Sequence, residues 1–289
     1  MAIPGNVRDE RPTVTVALVS LVFASAAIGV VTASALSPIL VSLAGVMKGL
    51  DLYTLTLLGV IFLCASASGT IGFAFSAIAG AFIFYIEPNP IKAVQIMIMA
   101  SIGLQTYSVL ALFRQISWRR CLPFVAGGAL TIPVGLAILF AAQPDIYIGA
   151  FGAALIAYGA YMLLRRPVTI ARRGALGDFL VGSLGGLTGP LAAFPGAFVT
   201  IWCALQGLDK VESRAIYQPY ILIMQLLTIS AMYWAGGPNP VDLGLTLYML
   251  PGIAGAWVGL RIFKQLTDTQ FQRLVTIGHM VSGLVMVLK

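Results

Sequence analysis

Residues 182–190 read Gly182-Ser183-Leu184-Gly185-Gly186-Leu187-Thr188-Gly189-Pro190, and Pro195-Gly196 follow. Glycine permits close backbone approach and positive φ, while proline removes a donor and interrupts a helix. A helix interrupted here would present free N–H groups at the start of its next piece, a setting that favours an anion. Thr188 adds a hydroxyl. The same small residues also suit close helix packing, and the pattern alone leaves both readings open. No lysine follows the glycines, so this is not a nucleotide-phosphate loop. A poorer counterpart lies earlier: Ser66, Ser68-Gly69-Thr70, Gly72 and Ser76. Its hydroxyls either line a hydrated path or bond back to a helix backbone.

Polar side chains inside apolar segments are the next candidates. Gln218 and Gln225 are seven residues apart and share one helical face. They follow Arg214 and Tyr217, with Pro219 between them. Gln95, Gln105 and Tyr107 punctuate the corresponding span of the first half. Amides in hydrocarbon face the protein interior, as packing glue or as solute contacts. Arg214 pairs with Glu212, snorkels, or draws an anion from the cytoplasm. Asp178 is a helix-start aspartate or a proton-coupling group. The candidate solute-binding set is therefore Ser68, Gly69, Gly72, Gly185, Gly186, Thr188, Gly189, Arg214, Gln218 and Gln225. No catalytic group is expected: a convincing aspartate pair, a histidine-bearing metal motif and a placed nucleophile and base are all missing from the sequence. Cys64, Cys121 and Cys203 lack metal-ligand spacing, and His279 is the sole histidine, so no metal or cofactor is expected.

These residues need a membrane to position them. Hydrophobic residues make up 59% of the 289-residue chain and charged ones 9%, too few for a soluble surface. Charge-free runs cover 52–86, 93–113, 121–144, 179–208 and 215–241, each long enough for a helix of about 20 residues to cross the hydrocarbon. The net charge of +7 sits in short loops, which is a topology signal and not a nucleic-acid stripe. The positive-inside rule places 114–120, 165–173 and 261–273 in the cytoplasm and 141–147 and 236–242 outside. Trp118, Trp202, Tyr233 and Trp234 read as interfacial anchors, with inward packing open to Trp202. Residues 1–50 carry an additional transmembrane helix or a signal-like segment ending near Ala33-Ser34-Ala35.

Single-pass helices fit 92–113, 120–140, 147–164, 214–235, 243–262 and 271–288. Segments 54–86 and 176–206 fit only as re-entrant or broken-helix hairpins that return to their starting side, which is tolerated where protein or a cavity shields the backbone. Ser68-Gly69 with Gly72 recurs 117 residues later as Gly185-Gly186 with Gly189. Gly128, Val134-Gly135 and Gly159 recur 124 residues later as Gly252, Val258-Gly259 and Gly283. The expected architecture is an all-α polytopic membrane protein of two inverted repeats, 51–168 and 169–289. Each repeat is a hairpin plus three transmembrane helices, and 1–50 is an extra N-terminal segment. That is a common plan of secondary transporters. An anion channel, an intramembrane enzyme and a non-transporting membrane partner protein are the competing classes.

The order Gly185-Gly186-Leu187-Thr188-Gly189-Pro190, Pro195, Gly207-Leu208-Asp209-Lys210 and Arg214-Ala215 resembles the TauE/SafE family of sulfite exporter-like membrane proteins. Ser68-Gly69, Gly72-Phe73, Gln115-Ile116-Ser117-Trp118-Arg119-Arg120, Pro123, Gly127-Gly128 and Pro133-Val134-Gly135 are similar too. The resemblance covers about residues 51–289. Many members carry a denser glycine run where this chain has Phe73-Ala74-Phe75 after Gly72. The resemblance implies transport of sulfite, sulfonates or other small organic anions, with the site at the paired glycine-rich segments. The expected partners are a small anionic solute, the lipid bilayer, and a coupling proton or cation. A homo-oligomer is compatible with this plan, and nucleic acid is not expected. The expected location is a bacterial inner membrane.

Overall fold

The structure, a computed structural model, describes residues 51–141, 174–235 and 240–287, with isolated helical positions between 153 and 160. The N-terminal segment, the 147–164 span, the 165–173 loop and most of the 141–147 and 236–242 loops lie outside the described residues.

All the regular structure described is helical. Asp51 accepts a hydrogen bond from the Thr54 N–H and starts α1, Leu52–Ile71. Gly72 ends it in the left-handed region at φ 102°. Helix α2 covers Phe75–Ile86. Asn89 accepts from the Ile91 and Lys92 N–H groups and, with Pro90 in the first turn, opens α3, Pro90–Ala111. A short 3-10 turn, Phe113–Gln115, leads to α4, Trp118–Ala141. Then come α5, Ala175–Ala192, α6, Ala197–Leu205, and α7, Lys210–Ala235. A 3-10 helix at Leu243–Tyr248 runs into α8, Met249–Gln265, and α9 covers Asp268–Val287.

Five helical stretches are long and apolar enough to cross a bilayer: α1, α3, α4, α7 and Leu243–Gln265. The chain is therefore an all-α, multi-pass membrane protein. The expected spans 92–113, 120–140, 214–235 and 243–262 coincide with four of these. The expected 271–288 span is a helix of 20 residues, but its Asp268, Gln270, Gln272 and Arg273 dilute its apolar character. Helix α3 is buried along nearly its whole length, and α7 along most of it.

Segments 54–86 and 176–206 are each divided into two helices of unequal length. At 1.5 Å per residue α1 is about 30 Å long and α2 about 18 Å. Helices α5 and α6 are about 27 and 14 Å. The chain returns on itself both times. Tyr53, at the start of α1, donates to Glu87 just past α2 at 2.8 Å. Trp202 near the end of α6 donates from Nε1 to Asp178 in the first turn of α5 at 2.8 Å. Asp178 is thus a side-chain acceptor that ties the start of α5 to the end of α6.

Packing is reciprocal. Helix α4 packs on α5, and α8 packs on α1. Both contacts depend on glycine. A Cβ on Gly127, Gly182 or Gly186 would run into the Phe179, Phe124 or Gly128 backbone. A Cβ on Gly259 would meet Ser66 and Gly69, and one on Gly255 would meet Ala65 and Phe62. Thr131 donates across the first contact to the Ser183 carbonyl at 2.7 Å, and Thr70 across the second to Gly259 at 3.3 Å.

Charge is sorted between the two ends. Around the start of α7, Arg120 pairs with Glu212 at 3.8 Å, the Ser117 N–H donates to Ala215 O, and Lys210 donates to Leu266 O. The basic 114–120 and 261–273 segments therefore share one end. Asp51 and Glu87 lie at the far end of α1, where Lys92 pairs with Glu87 at 2.9 Å.

Candidate functional site

The second break does not fall on the glycines. Gly182, Gly185, Gly186 and Gly189 all lie within α5, which continues to Ala192. The left-handed residue is Ala193, at φ 53°. Phe194 and Pro195 follow, then Gly196 as the N-cap of α6. This corrects the expectation that the glycine run itself is the interruption. Pro195 carries no N–H and restricts Phe194 away from helical angles, so the helix stops before them. Gly72 fits a 117-residue offset to Gly189, but the left-handed residues are Gly72 and Ala193. Helix α5 therefore runs about one extra turn past the shared glycines.

The α5 glycines serve several neighbours. Gly182 and Gly186 lie against α4, and Gly185 lies under the Tyr220 hydroxyl and the Pro195 carbonyl. Gly189 has only ordinary contacts, with room for a Cβ 3.5 Å from Pro195. Thr188 is spent on the backbone: its hydroxyl lies within reach of the Leu184, Gly185 and Phe194 carbonyls and can donate to one at a time. Ser68 is fully buried, and its hydroxyl has no hydrogen-bond partner. Gly69 lies against Ala256 and Gly259 of α8.

The two breaks touch. Ser76 donates to the Ala193 carbonyl. The rings of Phe73 and Phe194 are nearly parallel, 2° apart, with centroids 6.0 Å apart. Phe73 also stacks on His279 of α9 at 4.2 Å. His279 is fully buried. One ring nitrogen faces the Val275 carbonyl at 2.8 Å and the other the Thr200 hydroxyl of α6 at 3.2 Å. Neither helix after a break has a side-chain cap from its N-cap residue.

Helix α7 threads past both breaks. Arg214 donates through Nη2 to the Gly69 and Thr70 carbonyls at 2.6 and 2.8 Å. Tyr217 donates to Ile71 O at 3.1 Å and Gln218 to Gly72 O at 2.9 Å. The end of α1 is thus satisfied by side chains of α7, as a buried helix terminus requires. Farther along, Tyr220 donates to Gly182 O at 2.8 Å, and Gln225 donates to Ser101 of α3 at 2.7 Å. The carbonyl oxygens of Gln218 and Gln225, and the Thr228 hydroxyl, are buried without a partner.

Arg214 departs from both bland expectations. Arg120 holds Glu212, so Arg214 neither pairs with it nor snorkels to water; it is 0% exposed. The face of its guanidinium stacks on Phe263, 3.7 Å from the ring centroid. Its Nε and Nη1 have no hydrogen-bond partner. Gly69, Gly72, Arg214 and Gln218 are brought into direct contact. Gln225 lies apart, against α3, and Thr188 belongs to the second break. Sequence reading missed Phe73, Phe194, Tyr220 and His279 as site residues, because an aromatic residue in an apolar run carries no signal of what it meets.

Span-length helices packed around two interrupted segments define a multi-pass membrane protein. Residues 57–286 match the family described as Sulfite exporter TauE/SafE. The chain belongs to that family, whose members are transporters and not enzymes. No curated protein and no solved structure gives a match.

Proposed function

We propose that this chain is a secondary transporter of small anions, such as sulfite, sulfonates or related organic anions, in a bacterial inner membrane. An ion gradient, carried by a proton or another cation, drives it. The observation that carries this reading is the meeting of the two breaks through Phe73–Phe194 and Ser76–Ala193. Interrupted helices that converge are where such carriers hold their solute.

Two inverted repeats account for the packing. Helix α4 on α5 corresponds to α8 on α1. Gly128 lies by Met224 and Gly252 by Ala100, so each glycine and its neighbour are offset by 124. Ser101 and Gln225, also 124 apart, bond to each other. Residues that touch their own counterparts lie on the axis relating two repeats. The clustering of basic segments at one end supports placing that end in the cytoplasm.

The test is flux into proteoliposomes of sulfite, methanesulfonate and small carboxylates, with and without a pH gradient. Saturable anion uptake that responds to an imposed gradient is expected. Non-saturating conduction, or no flux of any anion in protein shown to be folded, would overturn the reading.

A further inference from the structure

We propose that His279 is the group that binds and releases the coupling proton, through Nε2, where the two breaks meet. The inference rests on the transporter reading above and names the coupling ion and its residue.

A coupling group must gain and lose a proton at working pH, and the interior offers few candidates. Arg214 keeps its proton throughout. Glu87 is the one buried carboxylate among the described residues, and it is tied to Lys92 and Tyr53 at the far end of α1. His279 is fully buried and is the sole histidine of the chain.

Its hydrogen bonds leave one nitrogen open to a proton. The Val275 carbonyl, 2.8 Å from Nδ1, can only accept, so Nδ1 carries the N–H of the neutral ring. Nε2 is then a bare lone pair facing the Thr200 hydroxyl at 3.2 Å. That hydroxyl has one hydrogen and two claims on it: Nε2, and the Ala197 carbonyl at 2.7 Å. A second proton on the ring removes the conflict. Nε2–H then donates to the Thr200 oxygen, and Thr200 donates to Ala197. Only an N–H bond forms or breaks. The proton enters from water on one side and leaves to the other.

The position links this event to both breaks. Phe73, next to Gly72, stacks on the ring at 4.2 Å, and a cationic ring holds an aromatic face more tightly. Ala197 and Thr200 open α6, directly after the second break. Helices α1, α2 and α6 around the ring contain no charged residue. The charges of α7 are Lys210, Glu212 and Arg214. Arg214 lies over Phe271, eight residues before His279 and so about 12 Å away along α9. Asp268 and Arg273 of α9 are exposed, and Cys203 of α6 and Tyr217 of α7 are neutral at working pH. An enclosed cation without a partner is costly, so the ring takes its proton as the breaks part, and an anion held between them offsets the charge. Proton and solute then travel together.

Methanesulfonate carries no proton of its own at working pH, so a proton that moves with it is the protein's. In proteoliposomes loaded with a pH-sensitive dye, wild type should acidify the lumen as it takes up methanesulfonate, and an inward proton gradient should speed that uptake. His279→Gln should lose both effects and still exchange labelled for unlabelled methanesulfonate, at a reduced rate. Thr200→Val removes the acceptor for Nε2–H, so the pH profile of uptake should move to lower pH by roughly one unit, the difference between a charged and a neutral hydrogen bond. With 15N-labelled histidine, the single imidazole signal should report the neutral proton on Nδ1. If His279→Gln does not fold, the Thr200→Val profile decides. Wild-type uptake that neither moves protons nor responds to their gradient, a His279→Gln variant that stays coupled or is folded without exchange, an unshifted Thr200→Val profile, or a neutral proton on Nε2 would each overturn the inference and leave the transporter reading standing. Failure of wild type to move any anion of the panel above would sink both.

Discussion

Phe73 and Phe194 each directly follow the left-handed residue that ends a long helix, and their rings lie 2° from parallel. Two segments 121 residues apart thus present the same residue to each other at the same point of the chain path. Aromatic pairs of this kind contribute about 0.5–1.5 kcal/mol beyond their buried area. Replacing either ring by leucine should destabilise the protein and slow transport. The double replacement should cost less than the sum, with a coupling of about 0.5–1.5 kcal/mol. A double-mutant cycle on unfolding in detergent measures this, and strict additivity would mean that the rings are neighbours without interaction.

The glycines of α5 should differ in tolerance. Gly186 faces the Gly128 backbone and Thr131, so Gly186→Ala must push α4 away, at about 1–3 kcal/mol. Gly189→Ala should be nearly neutral, because its Cβ would make ordinary contacts. Gly59→Ala, with nothing within 4 Å, is the control. Tm and surface expression of the three variants would rank them, and equal damage at 186 and 189 would contradict the helical placement of both.

His279 links α9 to both breaks through Phe73 and Thr200. His279→Phe keeps the ring stack and loses the hydrogen bonds, while His279→Ala loses both. The alanine variant should therefore be the less stable of the two, each lost buried hydrogen bond being worth about 1 kcal/mol. Thermal unfolding compares them directly. A phenylalanine variant no more stable than alanine would assign the role to the hydrogen bonds alone.

Glu87 predicts acid sensitivity at the turn between α2 and α3. Burial pushes its carboxyl up, but hydrogen bonds from Lys92, Tyr53 and the Asn89 N–H outweigh this and hold its pKa below the ordinary glutamate value. A carboxylate whose pKa is lowered by folding lends stability above its unfolded pKa and loses it as pH falls through the folded value. Glu87→Gln should lower Tm near neutral pH and reduce the further loss below about pH 4. Parallel acid-side profiles for variant and wild type would rule out this contribution.

Cysteines placed at Arg114 and Asn89, in a background free of Cys64, Cys121 and Cys203, should react with an impermeant reagent from opposite sides. Arg114 belongs to the basic end and Asn89 to the end that holds Asp51 and Glu87. Labelling of both from one side would break the proposed threading.

Membrane class, the main spans and the first break were legible in the sequence. Charge-free runs set where helices can cross, because a buried charge is costly whatever its neighbours. Gly69 and Gly72 together marked the region of the first break, and Gly72 takes it because a left-handed backbone excludes most other residues. The second break was misplaced by one turn, since glycine in a run signals both flexibility and close packing. Only the neighbours decide between the two. Helix α4 lies against Gly182 and Gly186 and holds them helical, so α5 runs on through Ala192 to the stop set by Pro195. Arg214 shows the same division. Its charge and its place near a span boundary are written in the sequence, but its burial depends on Gly69, Thr70 and Phe263, which lie up to 145 residues away. A side chain's solvation is set by what surrounds it in space, and that is settled only when α1, α7 and α8 pack together.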